Sequence, residues 1–171
     1  MLLGELTYDE DREMLYRLEE ARKSLSTINM EFLGKLEPRK EILIGDRKIL
    51  LLHGSPRDPL QGYIYPDTDI KGLEIMDSFD AVFMGHTHRP FIKSTRNTLV
   101  ANVGSCGLPR DCGLLPSCLI YNPDSNTAEV YRIPIAFEEI DLHYGQRVHS
   151  DVLNMFRRTS DTFVGTKPWE T

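Results

Sequence analysis

Two short runs of consecutive apolar residues constrain the fold of this chain more than any other feature of its sequence. The first run is Ile-Leu-Leu-Leu at residues 49–52, and the second is Ala-Val-Phe-Met at residues 81–84. Apolar runs of this length without polar alternation are typical of strands that are covered on both faces, as in sheets that lie between other layers. The sequence therefore predicts an α/β fold in which both runs form buried strands.

Helical patterns dominate the N-terminal part of the chain. Thr7 and Glu10 have the spacing of a capping box, and apolar residues follow at helical intervals, which predicts a helix over residues 8–25. A second helix is predicted over residues 28–36, and Pro38 stops it. A short helical piece near residues 70–77 and a weakly helical tail over residues 148–158 complete the predicted helices.

Strand patterns occupy the middle of the chain. Residues 41–44 and 48–52 flank Gly45-Asp46-Arg47, which predicts a β-hairpin. Further strands are predicted at residues 80–84, 91–94, 99–102, 118–121 and 128–133. These patterns divide the sequence into a helical segment at 1–38, a core at 39–147 and a tail at 148–171. We treat the three parts as one domain, because 171 residues is a usual size for a single core.

The formal net charge of −6 restricts the partners that the chain can bind. The sequence has no cluster of Lys and Arg residues that could neutralise a polyanion, so we expect no binding to a nucleic-acid backbone. No apolar run approaches the roughly 20 residues needed to span a bilayer, and the first residues lack the basic flank and apolar core of a signal peptide. We therefore expect a soluble, cytoplasmic protein that does not bind membranes.

Three cysteines, Cys106, Cys112 and Cys118, follow one another at intervals of six positions. An odd number of cysteines cannot pair completely, and a chain of this length needs no disulfide framework, so we expect reduced thiols. A zinc site remains an alternative, although structural zinc sites usually contain a more closely spaced cysteine pair.

Three of the five histidines follow the two apolar runs. His53 comes directly after the first run, and His86 and His88 come after the second. In an extended segment the side chains alternate between faces, so His86 and His88 are expected to point the same way. Ligand sites favour the carboxyl ends of strands, and imidazole is a common metal ligand. The sequence therefore predicts a metal site at these three histidines, with Gly54 and Gly85 beside them. The missing Cβ of Gly85 lets the backbone approach a ligand.

The segments around these histidines resemble a known enzyme family. The stretches LLHGSPRDPL, VFMGHTHRPF and VANVGSCGLPRD are similar to motifs of the calcineurin-like metallophosphoesterases, in particular the bacterial phosphodiesterase and phosphatase branch. The resemblance covers residues from about 20 to 140 and implies a two-sheet α/β sandwich flanked by helices. It also implies two divalent metal ions (Mn, Fe, Zn or Ni), with His53 and His86 at one ion and His88 at the other. Such ions activate water to hydrolyse phosphodiesters or phosphomonoesters.

Several motifs of that family are absent from this sequence. Family members carry Asp-x-His, Gly-Asp and Gly-Asn-His elements ahead of the region that resembles this chain. Gly45-Asp46 is better explained as a hairpin turn, and Asp141-Leu142-His143, which could enter a circularly permuted site, is not followed by the other elements. We therefore expect an incomplete sandwich that lacks the N-terminal strands and carries only the C-terminal half of the site, and we assign no catalytic residue within it.

An incomplete sandwich would expose a sheet edge and an apolar face, which natural proteins avoid. We therefore expect this chain to pair in a homo-oligomer or with a separate chain that supplies the N-terminal half, unless the sequence is a truncated one. The alternative function is that of a non-catalytic, truncated or degenerate family member that acts as a metal-binding or assembly subunit.

Four further residues are candidates for roles around the predicted site. Arg57, Arg89 and Arg110 lie in the loops near the histidines, and a guanidinium group can bind phosphate bidentately, so these arginines are candidates for substrate binding. Solvated loop arginines remain the alternative. Asn102 occupies the position of the family's Asn-Pro-Gly-Ser motif, with Val103 in place of the proline, and is expected to orient a metal-bound histidine.

Overall fold

A computed structural model of the chain describes residues 10–71, 73, 78–145 and 147–167. Along these residues three helices come first, seven strands follow, and two helices come last. In chain order they are α1 (Glu10–Tyr16), α2 (Leu18–Ser24), α3 (Thr27–Gly34), β1 (Arg39–Ile44), β2 (Arg47–Leu52), β3 (Ala81–Met84), β4 (Phe91–Ser94), β5 (Leu99–Asn102), β6 (Ser117–Asn122), β7 (Thr127–Arg132), α4 (Phe137–Tyr144) and α5 (Ser150–Phe156).

Five of the strands form one mixed sheet in the order β1-β2-β3-β5-β4. The strands β2, β3 and β5 are parallel to one another, whereas β1 and β4 are antiparallel to their neighbours. Both apolar runs therefore lie inside the sheet, as the sequence predicted. The remaining strands, β6 and β7, form a separate antiparallel pair. This mixed α/β architecture with two sheets confirms the predicted fold class.

Each face of the five-stranded sheet is buried against a different layer. On β3, Ala81 and Phe83 point to one face and Val82 and Met84 to the other, which is the alternation expected of a strand. The first face packs against β6 and β7, through the partly buried side chains of Leu119, Tyr121 and Ala128. The second face packs against the long connection between β2 and β3, through Ile64, Ile70 and Phe79. Two covered faces explain why the runs contain no polar residue.

The helices differ from the predicted ones in two places. The helix predicted over residues 8–25 is interrupted at Arg17, whose backbone is left-handed (φ 48°). The Glu13 carboxylate accepts a hydrogen bond from the Glu19 amide and so starts a second helix, while Arg17 donates to the distant carbonyl of Arg147. Helix α4 was not predicted, because its N-cap position holds Ala136, which offers no capping side chain.

The other helical predictions have mixed outcomes. Helix α3 confirms the helix predicted over residues 28–36, with Ser26 as its N-cap, and α5 confirms helical structure in the tail. Thr7 and most of the helical piece predicted near residues 70–77 lie outside the described residues. Among the helices that the structure describes, none is long and apolar enough to cross a membrane.

A buried ion pair ties the loop after β5 to the C-terminal segment. The Arg132 side chain is completely buried and donates to both carboxylate oxygens of Asp111, at 2.6 and 2.9 Å. It also donates to the carbonyl oxygens of Leu115 and Val164. The guanidinium donors are thus bonded to one carboxylate and two carbonyl groups, and a buried charge requires such partners.

Replacement of Asp111 by asparagine should destabilise the chain by about 3–5 kcal/mol, because it leaves the buried charge of Arg132 without its counter-ion. Urea unfolding followed by circular dichroism measures the change. The matched control is Glu19→Gln, which removes the carboxylate of an exposed ion pair with Lys23 and should leave the midpoint within experimental error. Equal midpoint shifts in the two variants would contradict a special role for the buried pair.

Candidate functional site

The loops that follow β2, β3 and β5 meet at one edge of the sheet. Because these strands are parallel, their carboxyl ends lie side by side. Backbone hydrogen bonds continue beyond the strands, from the Gly85 amide to the His53 carbonyl (3.0 Å) and from the Val103 amide to the Met84 carbonyl (2.9 Å). The edge therefore carries His53 from the first loop, His86 and His88 from the second, and the segment that begins at Val103 from the third.

The imidazole rings of His53 and His86 are in direct contact. His53 Nε2 lies 2.7 Å from His86 Nδ1, and the ring centroids are 4.6 Å apart in an edge-to-face arrangement. A hydrogen bond at this distance requires that one of the two nitrogens carries a proton and that the other offers its lone pair. Residues 33 positions apart in the sequence thus direct ring nitrogens at each other.

The backbone at His86 and His88 is not extended. The prediction that these side chains follow the alternation of a strand is therefore wrong. Both residues are left-handed, with φ values of 64° and 57°. Thr87, which lies between the two histidines in the sequence, donates its amide to the Gly85 carbonyl (2.8 Å), and its side chain is buried. A left-handed backbone is uncommon for a residue with a side chain and is often maintained at functional sites.

His88 has a fixed tautomer. Its Nδ1 lies 2.8 Å from the carbonyl oxygen of Leu108, which can only accept, so Nδ1 carries the proton and donates. The lone pair of the neutral ring is then on Nε2. A backbone carbonyl that holds the opposite ring nitrogen is the arrangement that commonly orients a histidine ligand.

Asn102, the last residue of β5, organises this edge through backbone contacts. Its buried amide donates to the Gly85 carbonyl (2.5 Å) and to Thr87 Oγ1 (3.0 Å), and its Oδ1 accepts from the Gly104 amide (2.9 Å). None of these bonds involves an imidazole, and the orientation of a metal-bound histidine by Asn102 stays a prediction. Asn102 instead holds the turn from which both histidines project.

The surroundings of His53 and His86 favour their neutral forms. Burial is the largest cause of the lowered pKa of His53, although the side chain is partly exposed, and the charge of His88 lowers it further. Burial also lowers the pKa of His86, followed by the charges of His53, His88 and Arg110, while Asp58 opposes them. The neutral forms, which offer nitrogen lone pairs, are therefore favoured in both rings.

Two buried polar atoms at the edge lack a hydrogen-bond partner within the described part of the chain. They are His86 Nε2 and Arg110 Nε. Unpaired buried nitrogens are costly in a folded protein, and each is a candidate position for a ligand. However, the described residues contain no group of three His, Cys, Asp or Glu side chains arranged to hold a metal ion. The contact between His53 and His86 is thus a partial site.

The three candidate arginines differ in their relation to the histidines. Arg110 is half-buried, its amide donates to the carbonyl of His88 (3.1 Å), and its charge acts on His86. Arg89 is also half-buried, and Arg57 is exposed. Arg110 is therefore the arginine that the structure brings to the histidine pair.

The two candidate glycines also differ. A Cβ on Gly54 would lie 2.6 Å from the Asp58 carbonyl oxygen and 2.8 Å from the Gly62 amide nitrogen, so the loop after His53 can close only with glycine. A Cβ on Gly85 would meet nothing closer than the His53 carbonyl oxygen at 3.8 Å. The surrounding backbone thus requires a glycine at position 54, whereas Gly85 has room for a Cβ. The approach of a ligand to either glycine stays a prediction.

The structure also places one residue that sequence analysis missed, and the cysteines and histidines outside the predicted site. Tyr63, which sequence analysis did not single out, packs against His86 with ring centroids 4.3 Å apart. Tyr63 lies in an irregular segment between the turns at residues 59–61 and 66–67, and such a segment gives no periodic signal that could have identified it. The three cysteines are unpaired, and Cys106 and Cys118 are exposed. His143 of the Asp-x-His sequence lies in α4, and His149 caps α5.

Gly54→Ala should lower the free energy of unfolding by about 1–3 kcal/mol, because backbone atoms rather than a flexible side chain occupy the space for Cβ. Gly85→Ala is the matched control, and it should leave stability unchanged or raise it by less than about 1 kcal/mol. Thermal unfolding of the two variants makes the comparison. Similar losses in both would show that the loop after β2 is not packed as tightly as described.

Comparison with known proteins supports a family assignment. The sequence pattern of the calcineurin-like phosphoesterase superfamily domain matches residues 13–125, more than half of the chain. A protein of Methanocaldococcus jannaschii named "Probable metallophosphoesterase" is 37% identical over 105 residues, which are 58% of this chain and 50% of that protein. The chain therefore spans about half the length of this curated relative.

Two crystal structures have a similar fold. A hypothetical protein from Pyrococcus horikoshii matches with a TM-score of 0.76 at 17% identity. The match covers 95% of this chain and 63% of the Pyrococcus protein. A metallophosphoesterase from Sphaerobacter thermophilus has a TM-score of 0.72 at 20% identity, with coverage of 91% and 71%. The sequence match and the shared fold agree with the resemblance seen in the histidine motifs, and the chain belongs to the calcineurin-like phosphoesterase superfamily.

Proposed function

We propose that this chain forms part of the site of a metal-dependent phosphoesterase, in which His53, His86 and His88 bind metal and Arg110 binds the substrate phosphate. The observation that carries the proposal is the contact of 2.7 Å between His53 Nε2 and His86 Nδ1 at the carboxyl edge of the parallel strands. The substrate is a phosphodiester or a phosphomonoester. We further propose that the protein works in the cytoplasm, where its three cysteines stay reduced.

The donor atoms at this edge suit a divalent ion of the borderline class. Neutral imidazole nitrogens bind Mn, Fe, Zn and Ni, and lowered pKa values keep two of the three rings neutral. His86 Nε2 is buried and has no hydrogen-bond partner among the residues that the structure describes, and the tautomer of His88 leaves a lone pair on its Nε2. When bound, the metal ions supply Lewis-acid activation of water and of the phosphoryl oxygens.

Arg110 is suited to hold the phosphate while the histidines hold metal. Within the described ranges its buried Nε has no hydrogen-bond partner, and its positive charge lowers the pKa of His86. A guanidinium group binds two phosphate oxygens in one plane, so it can orient a phosphoester as well as neutralise part of its charge. Arg110 is preferred over Arg57 and Arg89, because its charge helps to lower the pKa of His86 and its amide is bonded to the carbonyl of His88.

The described residues do not complete a metal site, so the proposal includes ligands from elsewhere. We propose that a partner chain, a second copy of this chain or further sequence supplies the N-terminal half of the site. Exposed apolar side chains on α3, in the connection between α3 and β1, and on β1 support pairing with another surface. They are Ile28, Phe32, Leu36 and Leu43.

A second candidate function is that of a non-catalytic subunit that binds metal or serves in assembly. The incomplete ligand set favours this alternative, because one pair of imidazoles binds an ion more weakly than a closed site. The two functions differ in a simple observation. A subunit of the second kind would retain metal and show no hydrolysis of phosphate esters.

Replacement of both His86 and His88 by glycine should reduce the affinity of the chain for Mn²⁺ or Zn²⁺ by more than about 100-fold, since even indirect partners of metal ligands contribute 10- to 100-fold. Glycine is the suitable replacement because it accepts the left-handed backbone that alanine would strain. Elemental analysis of the chain after equilibration with each metal and gel filtration measures binding.

The matched control for metal binding is His143→Ala, which removes an exposed imidazole from α4. This variant should retain the metal content of the parent chain. Unchanged metal content in the double glycine variant would contradict the assignment of the histidines as ligands. Hydrolysis of p-nitrophenyl phosphate esters by the same preparations distinguishes the enzyme from the non-catalytic subunit.

Arg110→Gln should weaken binding of inorganic phosphate to the metal-loaded chain by roughly 10- to 100-fold, because a charge-assisted pair of hydrogen bonds is lost. Isothermal titration calorimetry measures the affinity. Arg57→Gln and Arg89→Gln are the controls, and each should change it by less than about threefold. The phosphate assignment fails if either control weakens binding as strongly as Arg110→Gln.

A further inference from the structure

Two exposed tyrosines lie beside the histidine pair. Tyr63 and Tyr65 retain 54% and 41% of their accessible surface, while Ile64 between them is 4% exposed and belongs to the core. Side chains of an extended segment alternate between faces, so the inward position of Ile64 places both tyrosines on the outside. We call these two rings the aromatic platform.

The aromatic platform has a defined geometry. The two rings are nearly parallel, with an interplanar angle of 10° and centroids 5.8 Å apart. Their segment is held by reciprocal bonds, from the Tyr65 amide to Thr68 Oγ1 (2.9 Å) and from the Thr68 amide to the Tyr65 carbonyl (3.0 Å). Lys93 on β4 donates to the Thr68 carbonyl (2.6 Å) and attaches the segment to the sheet. The rings are thus positioned by the fold.

The aromatic platform is continuous with the proposed phosphoesterase site. The Tyr63 ring contacts His86 at 4.3 Å between centroids, and His86 in turn contacts His53. His86 Nε2 and Arg110 Nε, which are buried and have no hydrogen-bond partner in the described part of the chain, belong to the same edge of the sheet. A planar group on the tyrosines would therefore lie next to the position proposed for the phosphate.

We propose that the aromatic platform stacks the nucleobase of a nucleotide-type phosphoester, so that the base lies on Tyr63 and Tyr65 and the phosphate lies at the histidines and Arg110. This inference rests on the proposed function and specifies its substrate class. Exposed aromatic rings bind bases by stacking, which tolerates different bases because each has a π-face. The net charge of −6 favours a single nucleotide over a nucleic-acid strand, whose many phosphates need a basic surface.

Binding of three probes to the metal-loaded chain tests the inference, with isothermal titration calorimetry or ligand-observed NMR as the readout. The probes are adenosine 5′-monophosphate, ribose 5-phosphate, which lacks the base, and adenosine, which lacks the phosphate. We expect the monophosphate to bind about tenfold more tightly than ribose 5-phosphate. Tyr65→Ala should remove this preference and leave the affinity for ribose 5-phosphate unchanged. Tyr63→Phe with Tyr65→Phe should retain the preference, because the ring faces remain.

Tyr144→Ala is the matched control, since Tyr144 lies in α4 and is 56% exposed. It should leave all three affinities unchanged. Equal affinities of the parent chain for the monophosphate and ribose 5-phosphate would overturn the inference, as would absence of binding by both adenosine compounds. If ribose 5-phosphate fails to bind while adenosine binds in a Tyr65-dependent manner, the proposed phosphoesterase function fails and the aromatic platform stands.

Discussion

The parallel pairing of β2, β3 and β5 is the constraint on which the rest of the molecule depends. Parallel strands place their carboxyl ends at one edge, and here three loops from distant parts of the sequence leave the sheet side by side. The pairing needs two covered faces, which the β6–β7 hairpin and the connection between β2 and β3 provide. The apolar runs and the histidine pair thus both follow from the parallel pairing. It requires strands that are buried on both faces, and it places the residues that follow those strands at one edge of the sheet.

The left-handed turn at residues 86–88 depends on a second, smaller constraint. Asn102 uses its two N–H donors and its oxygen to join Gly85, Thr87 and Gly104, and it is completely buried. In a buried position these bonds are hard to exchange for water, so the amide can compensate for the unfavourable backbone of His86 and His88. The last residue of one strand therefore determines the direction in which the loop of the neighbouring strand presents its imidazoles.

The sequence predicted the features that depend on local patterns. The hairpin at Gly45 has a left-handed glycine, and the strands at residues 49–52 and 81–84 are buried as their composition indicates. The features that it did not predict depend on distant contacts. The break at Arg17 involves the carbonyl of Arg147, and the direction of His86 involves Asn102, neither of which has a signal in local spacing. The sequence predicted that His53 and His86 lie close together, and their ring nitrogens are in contact. It also predicted an extended backbone at His86, where the structure has a left-handed turn.

The buried contact between Asp111 and Arg132 links the site to the end of the chain. Asp111 directly follows Arg110, and Arg132 also binds the carbonyl of Val164, while its own amide donates to Thr166. Local opening of residues 163–166 would therefore remove contacts from Arg132, which holds the loop that carries Arg110. The contact between Asp111 and Arg132 thus couples the local stability of residues 163–166 to that of the loop that carries Arg110.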